Sequence, residues 1–464
     1  MKTRGYLKEF YRDTFHLHHW TMTAKSIDYW DDMEQSQWID AESIRQIQLE
    51  KLRRVVAHAG RSVPYYRELF AAHGIDPAKI ADFLDFQKIP FLDKGVLKSE
   101  KDDRMLAEGT DIGHVLCIRT SGSTGMPLHV YADPEQLDYR YAAVLRSWGW
   151  AGWEFGERSL RLWHQTIGMN DEQIKKEWLD AFLMNRRFLP VFEMDDKRLM
   201  KYVLEIMGYK PKLMDGYAEA FDILSRFIIA NNIDDVHVPS IISSAQMLTP
   251  EMRQLITQAM HTEVFDRYGC REFSTVGHEC PLHCGFHVNA ENLFVEIIKN
   301  GRLAEIGEVG EVVITDLHNR CQPLIRYRIG DLAEKISENC TCGRGLPLIG
   351  KIYGRTKGVV VGANGRYLTT SFFLHYLKDY DDEIRQFQII QESPLRIVVK
   401  IVPQPKSINE EMFGGIERDM KKFLGNEMEI GFDVVEKIKM VETGKHQAVI
   451  SCVELKLEHN SEFI

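Results

Sequence analysis

Residues 120–127 read Thr-Ser-Gly-Ser-Thr-Gly-Met-Pro, and the strand-like segment 114–119, His-Val-Leu-Cys-Ile-Arg, leads into them. Four hydroxyl side chains and two glycines in six residues leave little to pack in a core. Glycine allows positive φ and close backbone approach, so successive amide N–H groups in such a turn can surround an anion while the hydroxyls add donors. The turn is therefore suited to a polyphosphate.

Two other interpretations of this turn exist. A Walker loop requires a lysine after its second glycine, whereas Met126 and Pro127 follow Gly125 here. Clusters of Gly, Ser and Thr are also common in plain loops, so composition alone does not decide between a loop and an anion site.

The motif Thr-Ser-Gly-Ser-Thr-Gly-x-Pro resembles the phosphate-loop signature of the adenylate-forming superfamily, whose members activate carboxylates with ATP. More particularly, the chain resembles the phenylacetate-CoA ligase and CapK-like capsule-biosynthesis branch. The resemblance implies an α/β fold: a large N-terminal adenylate-forming domain with mixed sheets and helices, and a small C-terminal α+β lid. It also implies nucleotide binding by Thr120, Ser121, Gly122, Ser123, Thr124 and Gly125.

Length and composition agree with an ordinary globular protein of more than one domain. The chain has 464 residues, of which 44% are hydrophobic and 27% charged. A formal charge of -10 and the absence of a long basic run argue against a nucleic-acid partner. The N-terminus is charged and aromatic, and no apolar run is long enough to span a bilayer. We therefore expect a soluble cytoplasmic protein without membrane insertion, as a monomer or a homodimer.

The first part of the chain, 1–110, is predicted to be helical with breaks. Apolar residues recur mostly at three- and four-residue steps over 44–59, which indicates an amphipathic helix. Prolines in the segments 63–67 and 89–94 are expected to stop helices and restart the chain in an extended conformation. Both segments resemble "vPyYR" and "lP-x-l-x-K" segments that precede the phosphate loop in the phenylacetate-CoA ligase family.

Alternating helices and strands are predicted for the middle of the chain. The segments 212–217 and 241–246 each end an apolar stretch in small or polar residues, as strands do at the ligand-binding carboxyl edge of a parallel sheet. The family resemblance implies that the second segment, with Ser244 and Ala245, lies beside the adenine. Trp163, His164 and Tyr217 are candidates for a substrate pocket, although packing is the commoner role of a Trp-His pair.

Residues 264–272 read Val-Phe-Asp-Arg-Tyr-Gly-Cys-Arg-Glu and predict a short strand and a turn that ends in a carboxylate. They resemble the family signature Tyr-Gly-x-Ser/Thr-Glu. The resemblance implies that Tyr268 and Gly269 contact the nucleotide and that Glu272 holds Mg²⁺, a cation that prefers oxygen ligands. Arg271 departs from the usual small hydroxyl residue, and either a phosphate contact or a solvent-exposed position would suit it.

Residues 323–331 predict a strand that ends in Gly-Asp and resemble the family motif "PliRYrtGD". The resemblance assigns the ribose hydroxyls to Asp331, ribose or phosphate contacts to Arg355 and the hinge to Lys357. The domains are therefore expected to be 1–356 and 357–464, the second with three strands and a helix or two. Lys445, in a "t-x-GK"-like segment, would be the lysine used in adenylation.

Cysteine and histidine residues form two close groups. His278, Cys280, His283, Cys284 and His287 lie in one short stretch, and Cys340 and Cys342 lie in another. Thiolates and imidazoles from two turns suit a structural Zn²⁺, while ordinary reduced cysteines are the alternative. Some members of the resembled branch carry Cys-x₆-His followed by Cys-x-Cys-Gly, which selects Cys280, His287, Cys340 and Cys342 and leaves Cys284 as a substitute.

The predicted activity is AMP-forming activation of a small carboxylic acid by ATP, with Mg²⁺ and catalysis by Lys445 and Glu272, followed by transfer to a thiol. CoA is the expected acceptor. An amide- or ester-forming ligase that uses an amine or hydroxyl acceptor is an alternative, in polysaccharide or secondary metabolism. A nucleotide-binding protein without turnover is another, motivated by Arg271 and by Leu128-His129, where many relatives have a lysine.

Overall fold

A computed structural model describes residues 2–100, 102–120, 128–163, 170–191, 194, 196–337, 340–355, 358–380, 383–404, 410–438 and 448–453. The helices are α1 (Lys2–Asp13), α2 (Phe15–His18), α3 (Lys25–Ser36), α4 (Ala41–Ser62), α5 (Pro64–Ala72), α6 (Phe83–Gln87), α7 (Lys94–Ser99), α8 (Asp102–Met105), α9 (Pro134–Trp150), α10 (Asp171–Leu183), α11 (Asp196–Tyr209), α12 (Ala218–Ala230), α13 (Pro250–Met260), α14 (Thr370–Tyr376) and α15 (Glu410–Leu424).

The strands are β1 (Leu116–Thr120), β2 (Leu128–Ala132), β3 (Ser159–Leu162), β4 (Arg186–Leu189), β5 (Leu213–Tyr217), β6 (Ser240–Ser244), β7 (Glu263–Cys270), β8 (Ser274–Glu279), β9 (Phe286–Val288), β10 (Leu293–Lys299), β11 (Arg302–Leu303), β12 (Val309–Asp316), β13 (Tyr327–Glu334), β14 (Leu348–Ile349), β15 (Ile352–Arg355), β16 (Val359–Val361), β17 (Tyr367–Thr369), β18 (Ile384–Ser393), β19 (Arg396–Pro403), β20 (Glu429–Val434) and β21 (Val449–Ser451).

The N-terminal region is helical, as predicted, but Pro64 acts differently from the prediction. The predicted amphipathic helix is α4, which begins after Asp40, whose side chain accepts a hydrogen bond from the Ser43 N–H. Val63 is extended, yet Pro64 is the first residue of α5 instead of the start of an extended segment. Proline suits that position because its φ is preset for a helix and its missing N–H would have no helical partner there.

An eight-stranded sheet in the order β14-β9-β8-β7-β6-β5-β3-β4 forms the centre of the N-terminal part. Strands β4, β3, β5, β6 and β7 are parallel, and β7, β8, β9 and β14 pair in antiparallel fashion. The carboxyl ends of β5, β6 and β7 therefore meet at one edge. The predicted strands 212–217 and 241–246 lie at this edge as β5 and β6.

Successive residues of the parallel strands face opposite layers of helices. Met214 and Ile241 pack with residues of α11, α12 and α13 on one face. Leu213 and Ile242, their chain neighbours, pack with residues of α3 and α9 on the other face. Side chains of a strand alternate between the two faces, so this arrangement buries both sides of the sheet.

A second sheet of five antiparallel strands, in the order β11-β10-β12-β13-β15, packs near the end of β7. Asp331 lies within β13 and pairs with Arg355 of β15. The prediction that a strand ends at Gly330-Asp331 is therefore wrong, since β13 continues to Glu334. Leu92 forms an isolated bridge with Tyr327, which ties the segment before α7 to the start of β13.

The C-terminal part contains a sheet in the order β20-β19-β18-β21, with β16 and β17 in a separate hairpin. Its apolar residues, from Val360 to Val449, form a cluster of their own that includes Ile416 and Met420 of α15. Three predicted extended runs and the predicted helix correspond to β18, β19, β20 and α15. The prediction of three strands is wrong because β21 adds a fourth, parallel to β18. The boundary at 357 stays a prediction.

Within the described ranges, no helix is both long and apolar enough to cross a membrane.

Candidate active site

The predicted adenine-side residues lie at the carboxyl edge of the parallel strands. Ser244 is the last residue of β6 and is buried, and Ala245 leaves the strand with a φ of +67°. The Ser244 hydroxyl lies 3.4 Å from both the carbonyl oxygen and Nε of Arg267 on β7. These contacts join the ends of β6 and β7, which fixes the edge where a ligand would lie.

A buried ion network lies under this edge. The guanidinium of Arg267 donates to Asp215 Oδ1 at 2.7 Å, and Arg161 Nε is 3.4 Å from Asp215 Oδ2. Burial lowers the pKa of Arg161, while the charge of Asp215 opposes that shift. Because the three residues belong to β3, β5 and β7, the network aligns three strand ends. Sequence reasoning assigned none of them a role.

Tyr268 and Asp331, predicted to contact the nucleotide, come together across the two sheets. The Tyr268 hydroxyl donates to Asp331 Oδ2 at 2.9 Å, and both side chains are buried. Arg355 is the strand neighbour of Asp331, and of Arg355 only the backbone is described. Two family signatures that are far apart in sequence thus meet at one place.

Gly269 allows the turn that presents Glu272. A Cβ at Gly269 would lie 2.2 Å from the Ser274 carbonyl oxygen, so any larger residue would push β7 and β8 apart. The pairing of these strands shifts register between Tyr268 and Gly269. Arg140 of α9 donates to the backbone carbonyl oxygens of Arg271 and Glu272, which holds the turn in place.

Glu272 faces a lysine that sequence reasoning did not assign. Lys94 Nζ lies 3.6 Å from Glu272 Oε1 and donates to the Ile329 carbonyl oxygen at 3.0 Å. The Tyr327 hydroxyl donates to the same Glu272 oxygen at 3.3 Å. The carboxylate oxygen could bind a cation, and the ammonium group beside it could bind an anionic ligand. The only signal for Lys94 was its place in the segment 89–94.

Two of the three pocket candidates form a flat aromatic wall at the same strand edge. Trp163 and Tyr217 stack with ring centroids 4.2 Å apart and an interplanar angle of 10°. The guanidinium of Arg161 lies 4.9 Å from the Trp163 ring centroid. Parallel faces of this kind favour an apolar or aromatic group beside them.

Several predicted site residues lie outside the described residues: His164, Lys357, Lys445 and Ser121 to Gly125. Of Thr120, only its backbone is described, at the end of β1.

The cysteine and histidine groups converge on one point. One ligand atom from each of Cys280, His287, Cys340 and Cys342 lies within 4.8 Å of the others. Cys280 Sγ is 3.8 Å from Cys340 Sγ, and Cys342 Sγ is 3.4 Å from His287 Nε2. Ligands of a tetrahedral zinc ion are about 3.8 Å apart for two sulfurs and about 3.6 Å for sulfur and nitrogen, given the usual bond lengths. Cys284 lies apart from this group and is exposed.

The surroundings of His287 and Cys342 suit metal binding, whereas burial raises the pKa of the Cys280 and Cys340 thiols. Burial lowers the pKa of His287 to about 4, so the ring is neutral at pH 7, as a metal ligand requires. Burial raises the pKa of Cys342, but hydrogen bonds from the Arg344 backbone and guanidinium outweigh that effect and hold it below its usual value. The donor set therefore fits Zn²⁺.

Comparison with known proteins finds relatives whose sequences match most of the chain. Phenylacetate-coenzyme A ligase of Thermus thermophilus is 25% identical over 333 residues, which is 69% of this chain and 72% of that protein. Protein CapK of Staphylococcus aureus is 20% identical over 429 residues, 88% of this chain and 89% of CapK. Residues 360–452 match the family model described as the CapK C-terminal domain.

The chain is a homologue of phenylacetate-CoA ligases and of CapK. Its fold also resembles that of a CoA ligase of known structure. The structure of 2-hydroxyisobutyryl-CoA ligase in the postadenylation state, in complex with 2-HIB-AMP, matches with a TM-score of 0.69 at 18% identity, over 90% of this chain and 91% of that one. The predicted family resemblance and the predicted α/β fold with a C-terminal domain are confirmed.

Proposed function

We propose that this chain activates a carboxylic acid with ATP, forms an acyl-adenylate with release of pyrophosphate, and transfers the acyl group to CoA. The contact between Tyr268 and Asp331 carries the proposal, because it brings two nucleotide signatures together at the carboxyl edge of the parallel strands. The homologues named phenylacetate-CoA ligase support the same reaction.

The first half-reaction overcomes the poor electrophilicity of a carboxylate. A carboxylate oxygen attacks the α-phosphorus of ATP, the bond from that phosphorus to the β-phosphate oxygen breaks, and pyrophosphate leaves with the electron pair. Negative charge accumulates on the phosphate oxygens, so fixed donors and cations must face them. The turn 120–125 and Lys445 are the groups that we assign to this task.

Tyr268, Asp331 and Arg355 position the nucleotide in this proposal. The Asp331 carboxylate accepts hydrogen bonds from the ribose hydroxyls, and Tyr268 holds that carboxylate through its hydroxyl while its ring lies against the nucleotide. Ser244, Ala245 and Gly269 supply backbone surface beside the base. None of these groups takes part in bond making, so they act through orientation.

Lys94 and Glu272 form the charged end of the site. The Lys94 ammonium is placed to contact phosphate oxygens, and the Glu272 carboxylate next to it is the residue that would hold Mg²⁺. When bound, Mg²⁺ neutralises charge on the phosphates. Arg140 positions the Glu272 backbone and does not contact the ligand in this assignment.

The acid is proposed to bind against the wall formed by Trp163 and Tyr217. Stacked rings offer a flat apolar surface, which suits an acid with an aromatic or apolar body. His164 stays a candidate for the same pocket.

In the second half-reaction, the thiolate sulfur of CoA attacks the acyl carbon and AMP leaves with the electrons of the broken carbon–oxygen bond. We propose that residues 357–464 form a lid that rotates about Lys357, which removes Lys445 and admits the acceptor. The solved structures of 2-hydroxyisobutyryl-CoA ligase include postadenylation and thioesterification states, which differ in their match to this chain, with TM-scores of 0.69 and 0.59.

An amine or hydroxyl acceptor is the second candidate. We keep it because the proposed lid, which admits the acceptor, matches the CapK C-terminal domain over residues 360–452, and the match to CapK extends further along the chain than the match to the CoA ligases. The first half-reaction is common to both candidates. Offering CoA, amines, alcohols or buffer alone to the preformed adenylate separates them by the product formed.

We propose a structural Zn²⁺ at Cys280, His287, Cys340 and Cys342. Four protein ligands leave no open position for water, so the ion would stabilise the fold and take no part in adenylation.

We expect Lys445→Ala to lower carboxylate-dependent ATP–pyrophosphate exchange by roughly 100-fold or more, because the transition state loses a positive donor. Lys437→Ala, an exposed lysine of the same C-terminal part, is the matched control and should exchange at the wild-type rate. The acid for this assay comes from a panel screened by pyrophosphate release. ATP binding without pyrophosphate release from any acid would instead indicate a nucleotide-binding protein without turnover.

A further inference from the structure

A second group of residues with metal-ligand chemistry lies where α1, α2 and α10 meet, remote in sequence from the cysteine group. One ligand atom from each of His18, His19 and Asp180 lies within 4.8 Å of the others, and all three residues are buried. Tyr11 of α1 reaches the same point and is 1% exposed. We call these four residues the N-terminal cluster.

Three distances within the N-terminal cluster are close to those of a small coordination site. His18 Nδ1 and His19 Nε2 are each 3.2 Å from Asp180 Oδ1, and Tyr11 Oη is 3.1 Å from His19 Nε2. Ligand atoms about 2.0–2.1 Å from a tetrahedral ion lie about 3.3 Å from one another. Tyr11 Oη is closer to Asp180 Oδ1 and to Tyr141 Oη, at 2.6 Å each, as in hydrogen bonds.

Each ring nitrogen of His18 faces a hydrogen-bond acceptor, but a neutral imidazole ring carries only one N–H. Its Nε2 faces the Tyr11 backbone carbonyl oxygen at 3.3 Å, and its Nδ1 faces Asp180 Oδ1 at 3.2 Å. Both neighbours are acceptors, whereas a neutral imidazole donates only once. A histidine that donates one N–H to a backbone carbonyl and turns its other nitrogen to a metal resolves this, and it is the usual arrangement of metal-binding histidines.

Cationic side chains lie next to the N-terminal cluster. Arg186 donates to Asp180 Oδ2 at 2.7 Å and lies 3.2 Å from Glu177. Lys176 Nζ donates to the His19 carbonyl oxygen at 3.3 Å, so two cationic groups balance the two carboxylates. Arg186 contacts Oδ2 of Asp180, and Oδ1 is the oxygen on which Tyr11, His18 and His19 converge.

We propose that His18 Nδ1, His19 Nε2 and Asp180 Oδ1 bind a divalent transition-metal ion such as Zn²⁺, with Tyr11 Oη at the fourth position. Imidazole and carboxylate ligands in this number suit Zn²⁺ and its neighbours in the first transition series. Since every ligand is buried, the ion has a structural role. It joins the N-terminal helices to α10, and through Arg186 to β4 of the central sheet.

The test is the zinc content of purified full-length protein, measured by elemental analysis after dialysis. Wild type should carry about two zinc ions, one in the N-terminal cluster and one at the cysteine site. His18→Gln should carry about one. His16→Gln, which changes an exposed histidine of the same helix, should keep both. Equal zinc content in His18→Gln and wild type would overturn the proposal.

A second measurement needs no variant. When Co²⁺ is titrated into metal-free wild type, the cysteine site gives a thiolate-to-cobalt charge-transfer band, and the N-terminal cluster gives only ligand-field bands because it has no sulfur. We expect the ligand-field bands to keep growing after the charge-transfer band is complete. If both saturate together at about one Co²⁺ per chain, the N-terminal cluster binds no metal and is a hydrogen-bonded network.

Discussion

The two carboxylates of the candidate site differ in their neighbours, and this difference separates their roles. Asp331 accepts a hydrogen bond from the Tyr268 hydroxyl, whereas Glu272 faces the ammonium of Lys94 in addition to the Tyr327 hydroxyl. A ribose hydroxyl needs a hydrogen-bond acceptor, and a phosphate needs a cation close by. The first environment therefore suits the sugar, and the second suits the phosphates.

Asp331→Asn tests the first role. The amide keeps the shape of the side chain but removes its negative charge, and a hydrogen bond to a charged group contributes about 1.5–3 kcal/mol. We expect the Kd for ATP to rise by about 10-fold or more, with a smaller change in pyrophosphate release at saturating ATP. Tyr268→Phe, which keeps both the ring and the carboxylate, should have the smaller effect. Wild-type affinity in Asp331→Asn would exclude a ribose contact.

Lys94→Met tests the second role. The substitution keeps the length of the side chain and removes the charge next to Glu272, so charge on the phosphates is less well stabilised. We expect kcat/KM for ATP in pyrophosphate release to fall by about 10- to 100-fold. Lys88→Met is the matched control, since Lys88 is exposed and pairs with Asp85 at the end of α6, the helix before the one that carries Lys94. An unchanged kcat/KM in Lys94→Met would remove this lysine from the mechanism.

At the level of strands and helices, the sequence predicted the elements that have a local pattern and missed those that depend on pairing with distant residues. The apolar runs of β5 and β6 and the period of α4 are visible in a few consecutive residues, so these elements were predicted. β21 has three residues and is defined by its pairing with β18, which no local pattern shows. Lys94 was missed for the same reason, because its backbone partner Ile329 lies 235 residues away.

β7 also carries an acidic residue whose protonation depends on its neighbours. Burial, and then the charge of Glu279 on β8, raise the pKa of Asp266 to about 7, against the opposing charges of Arg253 and Arg267. A carboxyl group whose pKa is higher in the folded state than in the unfolded state stabilises the fold at low pH. The contribution is fully present below the pKa of the unfolded state, and it is lost as the pH rises through 7, the pKa in the folded state.

Asp266→Asn should remove this dependence, because the amide resembles the protonated acid at every pH. We expect the unfolding free energy of the variant, relative to that of wild type, to increase between pH 5 and pH 8. The increase should be roughly 1–4 kcal/mol, because one pKa unit corresponds to about 1.4 kcal/mol. Chemical denaturation of both proteins at several pH values measures the difference. A constant difference would mean that Asp266 does not change its protonation in this range.

On the scale of the whole molecule, the cysteine site joins segments that are distant in sequence. Cys280 and His287 flank the turn between β8 and β9, and the loop with Cys340 and Cys342 precedes β14. Arg344 of that loop donates to Gln37 Oε1 at 2.9 Å and lies over the rings of Trp38 and Trp150. A metal there would therefore hold the central sheet, the loop and the N-terminal helices together.

Cys342→Ser tests this link against Cys284→Ser. Cys342 belongs to the converging group, while Cys284 is exposed and its thiol contacts the Leu282 carbonyl oxygen. We expect Cys342→Ser to lose one zinc ion and to unfold at a temperature roughly 5–10 °C lower, since metal binding contributes to folding. Cys284→Ser should keep the zinc and the Tm of wild type. If Cys284→Ser loses zinc instead, the exposed cysteine is the ligand and the loop must rearrange to bring it to the metal.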